Sequence, residues 1–349
     1  MKLVLKVSAD LAAAVVSLLV IGFGSVANAQ LIKPGKPEIA SFSVASVPDA
    51  TYGSAVLLAL ENGYFRDEGL TVDLKLFATG VAQKEPLVSG QIAVGVASAQ
   101  VWMTMRAAGA PISVIARSTD NSPTHQLIVS SKVKQPKDLE GKKIGYIKGS
   151  SLDAFYGTFC KVYGVDTRKV EALHMSQPEM VVALLQGHVD AIFISGIFGP
   201  AAVKKGTGVG ARLMHTAETS WLTGKPEKKR LMRISILLMA NEDFARKNPN
   251  TLAAFLRGVA RANDDIRNNR AQAANVVAKR TNVPVQDVLE AWSLADYLLD
   301  IAPDLLSDLE STREFLASVG SIRGEVDIKA GINERPLKAI LPQNVTWSR

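Results

Sequence analysis

The chain has 349 residues, 47% of them hydrophobic and 21% charged, with a formal net charge of +7. This composition excludes the disordered, collagen-like and coiled-coil classes, and the length points to about two domains. The charges are interspersed, so the positive balance alone names no partner, and the single cysteine, Cys160, excludes an internal disulfide framework or a thiolate metal cage.

The first segment has the form of an export signal. Lys2 and Lys6 make a basic start, Leu11 to Ile21 is apolar apart from Ser17, and Ala27-Asn28-Ala29 is a small-x-small cleavage site. The apolar run is shorter than the ~20 residues that a spanning helix needs. We expect cleavage after Ala29, no lipid anchor, and a soluble mature protein exported to a bacterial periplasm.

Beyond the signal, strands and helices alternate. A helix is predicted over 55–62, stopped by Gly63, then a strand where Val72, Leu74 and Leu76 alternate with polar residues. A buried strand over 92–96, a helix over 99–108 and a strand over 112–116 complete a first unit. A second unit begins near Ser130, with a strand over 143–147 and a helix over 152–163 stopped by Gly164. Cys160 is expected as a buried helical thiol. Ser176 and Glu179 form a capping box, with Pro178 in the first turn of the helix they open. That helix ends at Gly187, and a strand over 189–194 follows. The segments Leu87–Val94 and Leu184–Ala191 share one pattern of helix end, glycine, polar residue and buried strand.

A basic loop carrying Lys225, Lys228, Lys229 and Arg230 precedes an apolar strand over 234–239. The remainder reads as helices over 249–268, 271–280, 284–292 and 308–319. Alternation of this kind implies an α/β protein whose sheets are mainly parallel and flanked by helices. The expected organisation is a signal peptide at 1–29, lobe one at 30–128, lobe two at 129–232, and a return to lobe one with C-terminal helices at 233–349.

Leu58-Ala59-Leu60-Glu61-Asn62-Gly63-Tyr64-Phe65-Arg66-Asp67-Glu68-Gly69-Leu70-Thr71-Val72 resembles a signature of periplasmic substrate-binding proteins serving nitrate, sulfonate and taurine ABC importers. Asp138 to Gly145 and Leu184 to Ala191 resemble later blocks of the same family, in the same order. The resemblance implies a two-lobed, hinged periplasmic binding fold, which captures a small anionic or polar organic solute and presents it to a membrane permease and ATPase complex. It departs from the family where a tryptophan closely followed by proline is usual. Here Ser195 and Phe198 stand instead, with extra residues before Pro200.

The residues themselves indicate where a ligand would sit. A helix N-terminus offers unpaired N–H donors and partial positive charge, and in parallel sheets such turns lie at the C-terminal strand edge. Four turns of small polar residues qualify: Thr51-Tyr52-Gly53-Ser54, Thr79-Gly80, Ser98-Ala99-Gln100 and Gly149-Ser150-Ser151. Each hydroxyl could equally serve only as a helix cap. Tyr52 is a candidate aromatic wall and Trp102 a core residue. Ser195 and Phe198 join the expected ligand set by the family resemblance. Pro86 is expected to kink the helix after Gly80.

Other signals are negative. Gly206-Thr207-Gly208-Val209-Gly210 follows a helical stretch and is no dinucleotide fingerprint. His125, His174, His188 and His215 lack metal-ligand spacing, and no nucleophile–base pair is visible. No cofactor, metal or nucleic-acid partner is expected, and the protein should act as a monomer and not as an enzyme. The rival reading is an enzyme of the related pyrimidine-precursor or menaquinone-pathway type. The pyrimidine synthase type carries a cysteine cluster, which one cysteine cannot supply. A sensor ectodomain would call for a transmembrane segment or a further domain.

Overall fold

A computed structural model describes residues 35–348, so the expected signal peptide lies outside the described residues. The strands divide between two sheets. The first takes β1 (Ser41–Ser46), β2 (Thr71–Leu76), β3 (Val94–Ser98) and β4 (Ile112–Asp120). The chain then crosses to the second sheet for β5 (His125–Val129), β6 (Lys143–Tyr146), β7 (Glu171–His174), β8 (Ala191–Ser195), β9 (Arg212–Thr216), β10 (Thr219–Ser220) and β11 (Glu227–Lys228). It returns to the first sheet for β12 (Ser235–Asn241) and β13 (Asp296–Asp300). The spatial orders are β13-β4-β12-β3-β1-β2 and β11-β10-β9-β5-β8-β6-β7.

Both sheets are mixed, which corrects the expectation of mainly parallel sheets. β1 runs parallel to β2 and β3, and β6 runs parallel to β7 and β8. β12 lies antiparallel between β3 and β4, and β5 lies antiparallel between β8 and β9. The crossing explains the difference. β4 leaves the first sheet at the end where β12 re-enters it, so the returning strand must run the opposite way. The two crossing segments are tied together: Asn121 N–H donates to the Ile234 carbonyl at 2.9 Å, and Ile234 N–H donates to the Ser122 hydroxyl at 2.8 Å.

The helices are α1 (Ser54–Glu61), α2 (Tyr64–Asp67), α3 (Lys84–Val88), α4 (Ala99–Ala107), α5 (Ser151–Tyr163), α6 (Gln177–Leu185) and α7 (Phe198–Lys205). After β12 come α8 (Glu242–Lys247), α9 (Pro249–Asn268), α10 (Arg270–Thr281), α11 (Val285–Ser293), α12 (Pro303–Ser318) and α13 (Arg335–Lys338). The capping box of Ser176 and Glu179 opens α6, and Gly164, at φ +66°, closes α5. The segment after Gly80 is not one kinked helix. A 3-10 turn over Val81–Gln83 precedes α3, which puts Pro86 in a first turn where its missing N–H costs nothing.

The C-terminal part packs on the first sheet's helices. Phe255 of α9 stacks on Phe65 with ring centroids 5.1 Å apart, and a Cβ on Gly258 would lie 2.6 Å from that ring. Two features depart from the sequence reading. β13 is a strand inside the stretch read as helical, paired with β4 at the sheet edge. α12 also reaches the second unit, where Gly157 of α5 meets the Phe315 ring within 2.9 Å of its Cβ position. Cys160 is fully buried, and burial pushes its thiol up to about 12. None of the described helices is long and apolar enough to cross a membrane.

Candidate functional site

Six turns converge on one cleft of about 260 Å³, one at the C-terminal end of each parallel strand. From the first sheet come Asp49 and Tyr52 after β1, Thr79 and Gly80 after β2, and Ser98 at the end of β3. From the second come Ser150 and Ser151 after β6, Ser176 and Gln177 after β7, and Ser195 and Phe198 after β8. Val47, Val101, Ile147 and Leu152 give the cleft apolar walls. This is where ligands bind in open α/β sheets, because helix N–H donors and strand ends meet there without side chains in the way.

The structure therefore brings together Tyr52, Thr79, Gly80, Ser98, Ser150, Ser151, Ser195 and Phe198 of the expected set. Thr51, Ala99 and Gly149 sit beside the cleft in the same turns without lining it. Gln100 faces away. It lines a separate cavity of about 580 Å³ under α12, where its amide donates to the Thr312 hydroxyl at 3.4 Å. The helix register explains this, since residues one apart on a helix point about 100° apart. Trp102 is core as expected, fully buried and donating its indole N–H to the Ile112 carbonyl at 2.9 Å.

Not every hydroxyl is available. Ser150 is the N-cap of α5: its oxygen accepts from Leu152 N–H at 3.1 Å and its proton goes to the Ile147 carbonyl at 2.7 Å. Ser195 donates to the Gln177 carboxamide at 3.0 Å, which also accepts the Ser195 N–H at 2.7 Å. Ser98 caps α4 through backbone geometry alone and makes no side-chain cap bond.

A chain of hydrogen bonds crosses the cleft. His125 Nδ1 lies 3.0 Å from the Asn121 carbonyl, which can only accept, so Nδ1 carries the proton and Nε2 accepts. Ser151 Oγ lies 2.8 Å from Nε2, and the Tyr52 hydroxyl lies 3.2 Å from Ser151 Oγ. Nε2 is within reach of both hydroxyls, 2.8 Å from Ser151 and 3.3 Å from Tyr52, and either hydroxyl can donate in the contact between them. Burial holds the imidazole neutral, down to about 4, and pushes the Tyr52 phenol up. Ser151 and His125, 26 residues apart in sequence, thus make a Ser–His hydrogen bond that the sequence did not show.

The profile of the NMT1/THI5-like family matches residues 50–273. The chain belongs to the NMT1/THI5-like family. A taurine-binding periplasmic protein of Escherichia coli is 22% identical over 234 residues, covering 65% of this chain and 69% of that protein. The 4-amino-5-hydroxymethyl-2-methylpyrimidine phosphate synthase THI13 of Saccharomyces cerevisiae is 23% identical over 277 residues, covering 74% and 70%. Among solved structures, the alkanesulfonate-binding protein SsuA of Xanthomonas axonopodis pv. citri, bound to MOPS, superposes with a TM-score of 0.70 at 18% identity, over 85% of this chain and 99% of that one. The fold is that of the periplasmic binding proteins.

Sequence reasoning missed Asp49, Ser176, Gln177 and His125. The turn at Ser176 was read only as a capping box because β7 before it, with no fully buried residue, lacks a strand signal. Asp49 follows β1, which no motif marked. His125 follows the crossing, and only the fold places it beside Ser151.

Proposed function

We propose that the chain is the periplasmic solute-binding component of an ABC importer, capturing a small anionic or polar organic solute between its two sheets. The observation that carries this reading is the convergence of turns from both sheets on one apolar-walled cleft. A ligand touching both sides favours the closed form by its differential contacts, and only by those. The closed form is what the permease and ATPase complex at the membrane would recognise. The family relatives that bind taurine and alkanesulfonate support a solute of that size. Export follows from the N-terminal signal, with the mature chain beginning at Gln30. A thermal-shift screen of small organic solutes with small-angle scattering on the hits tests the reading: a true ligand raises Tm and compacts the protein. N-terminal sequencing of periplasmic material tests the export.

One observation favours an enzyme instead, the Ser151–His125 pair, and synthases occur among the relatives. Against it, the His125 proton is held by a backbone carbonyl and not by a carboxylate, and the Tyr52 hydroxyl also contacts the serine oxygen. Mass spectrometry of any bound compound after prolonged incubation decides: recovery unchanged supports the receptor, and turnover supports the enzyme.

A further inference from the structure

Among the described residues, the cleft is lined by one carboxylate and no cationic side chain. Asp49 is only 6% exposed. Its Oδ1 is saturated by three donors from the following turn: Thr51 N–H at 2.5 Å, the Thr51 hydroxyl, and Tyr52 N–H at 3.0 Å. Its Oδ2 has no hydrogen-bond donor and no ion-pair partner among the described residues. It lies against Gly196 of the opposite sheet, 3.0 Å from where a Cβ would stand. No lysine, arginine or histidine among the described residues lines the cleft.

A buried carboxylate with an open oxygen is costly unless a donor meets it, and a cation meets it best. A simple anion approaching Oδ2 would be repelled, with no positive side chain beside that oxygen. The polar groups across the cleft have the opposite bias. The N-termini of α5, α6 and α7 bring partial positive charge, which suits an acidic or polar head group, although the Ser150 cap takes Leu152 N–H and the Ser176–Glu179 capping box closes α6.

We infer that Asp49 selects ligands carrying an ammonium, amidine or amino-heterocycle N–H group, which binds Oδ2 while the remainder of the molecule faces the helix N-termini of the second sheet. The solute class is then an amino-bearing organic molecule, and not nitrate or an unsubstituted alkanesulfonate. The inference rests on the cleft being the ligand site.

The test is calorimetry on the mature protein with matched probes: taurine against ethanesulfonate, β-alanine against propionate, and 4-aminopyrimidine against pyrimidine. The expected result is that any pair that binds favours its amino member by at least tenfold. Asp49→Asn keeps an Oδ1 acceptor for the Thr51 and Tyr52 donors but turns the open oxygen into a donor. It should weaken the amino member by tenfold or more and narrow the preference, with Tm nearly unchanged. Equal or tighter binding of a deaminated member by the wild type overturns the inference and leaves the cleft reading standing. So does full retention of amine affinity in Asp49→Asn. Failure of every probe to bind the wild type overturns both. If Asp49→Asn does not fold, the wild-type pairs alone decide.

Discussion

The Tyr52 hydroxyl lies 3.2 Å from the Ser151 hydroxyl, joining the turn after β1 to the first residue of α5 and so the first sheet to the second. This contact spans the cleft, and a ligand there must compete with it or add to it. Tyr52→Phe keeps the ring beside His125 and removes the hydroxyl. The loss should be about 1 kcal/mol, as for one neutral hydrogen bond. Scattering on the ligand-free protein should show a larger radius of gyration, and ligand should restore compaction. An unchanged radius would show that the contact does not hold the sheets together.

Much of this arrangement was legible in the sequence because its signals are local. Gly90 and Gly187 sit in the left-handed region, at φ +78° and +72°, at the ends of two helices that the repeated pattern had marked. The turns at Thr79, Ser98 and Ser150 were visible as small polar residues between a strand and a helix. What the sequence hid is non-local. Nothing near Asp120 says that β4 runs straight into the other sheet, or that β12 returns between β3 and β4. The mixed pairing and the meeting of His125 with Ser151 both follow from that crossing. β13 was hidden because Tyr297, Leu298 and Leu299 are consecutive, so its residue types do not alternate although its burial does.

Acid should loosen the cleft through His125. Burial lowers this imidazole from 6.5 to about 4, against the raising effects of its hydrogen bond to the Asn121 carbonyl and the nearby charge of Asp120. The unfolded chain therefore takes up a proton before the folded one does. Stability is full above about pH 6.5 and falls as the pH drops toward 4, by up to about 3 kcal/mol. His125→Gln should flatten that part of the profile, measured by chemical denaturation at a series of pH values. A slope as steep as the wild type's would show that other groups carry the acid sensitivity.

Asp308 acts in the opposite sense. It lies on the buried face of α12, and burial, with the charge of Asp120, pushes its carboxyl up from 3.8 to about 7 despite a hydrogen bond from Ser235 N–H at 3.2 Å. The folded state holds this proton longer than the unfolded state. The contribution to stability is therefore complete below about pH 4 and is lost as the pH rises through 7. Asp308→Asn retains an acceptor for Ser235 and never ionises. It should be more stable than the wild type above pH 7, by about 2–4 kcal/mol. Thermal unfolding at pH 5 and pH 8.5 checks it, because the gain should appear only at the higher value.

Cys160 should resist alkylation in the folded protein. Its thiol is pushed up to about 12 and has no exposed surface, so almost no thiolate meets the reagent. Iodoacetamide at pH 8 should label the chain only after denaturant is added. Rapid labelling of the native protein would mean that α5 opens locally.

Two serines in the cleft should separate structure from recognition. Ser150 spends its hydroxyl on the first turn of α5, accepting from Leu152 N–H and donating to the Ile147 carbonyl. Ser98 makes no cap bond with its side chain, is 3% exposed, and lines the cleft. Ser150→Ala should cost about 1 kcal/mol of stability, the usual price of a lost N-cap. It should change affinity little, because the hydroxyl was never free. Ser98→Ala should leave Tm nearly unchanged and weaken ligand binding by about 0.5–1.5 kcal/mol, which is roughly two- to tenfold in Kd. Denaturation and calorimetry on both variants give four numbers, and the expected pattern is a crossed one. If Ser150→Ala instead lost affinity at constant stability, the α5 cap would be a ligand contact, and the hydrogen bonds to Leu152 and Ile147 would have to break on binding.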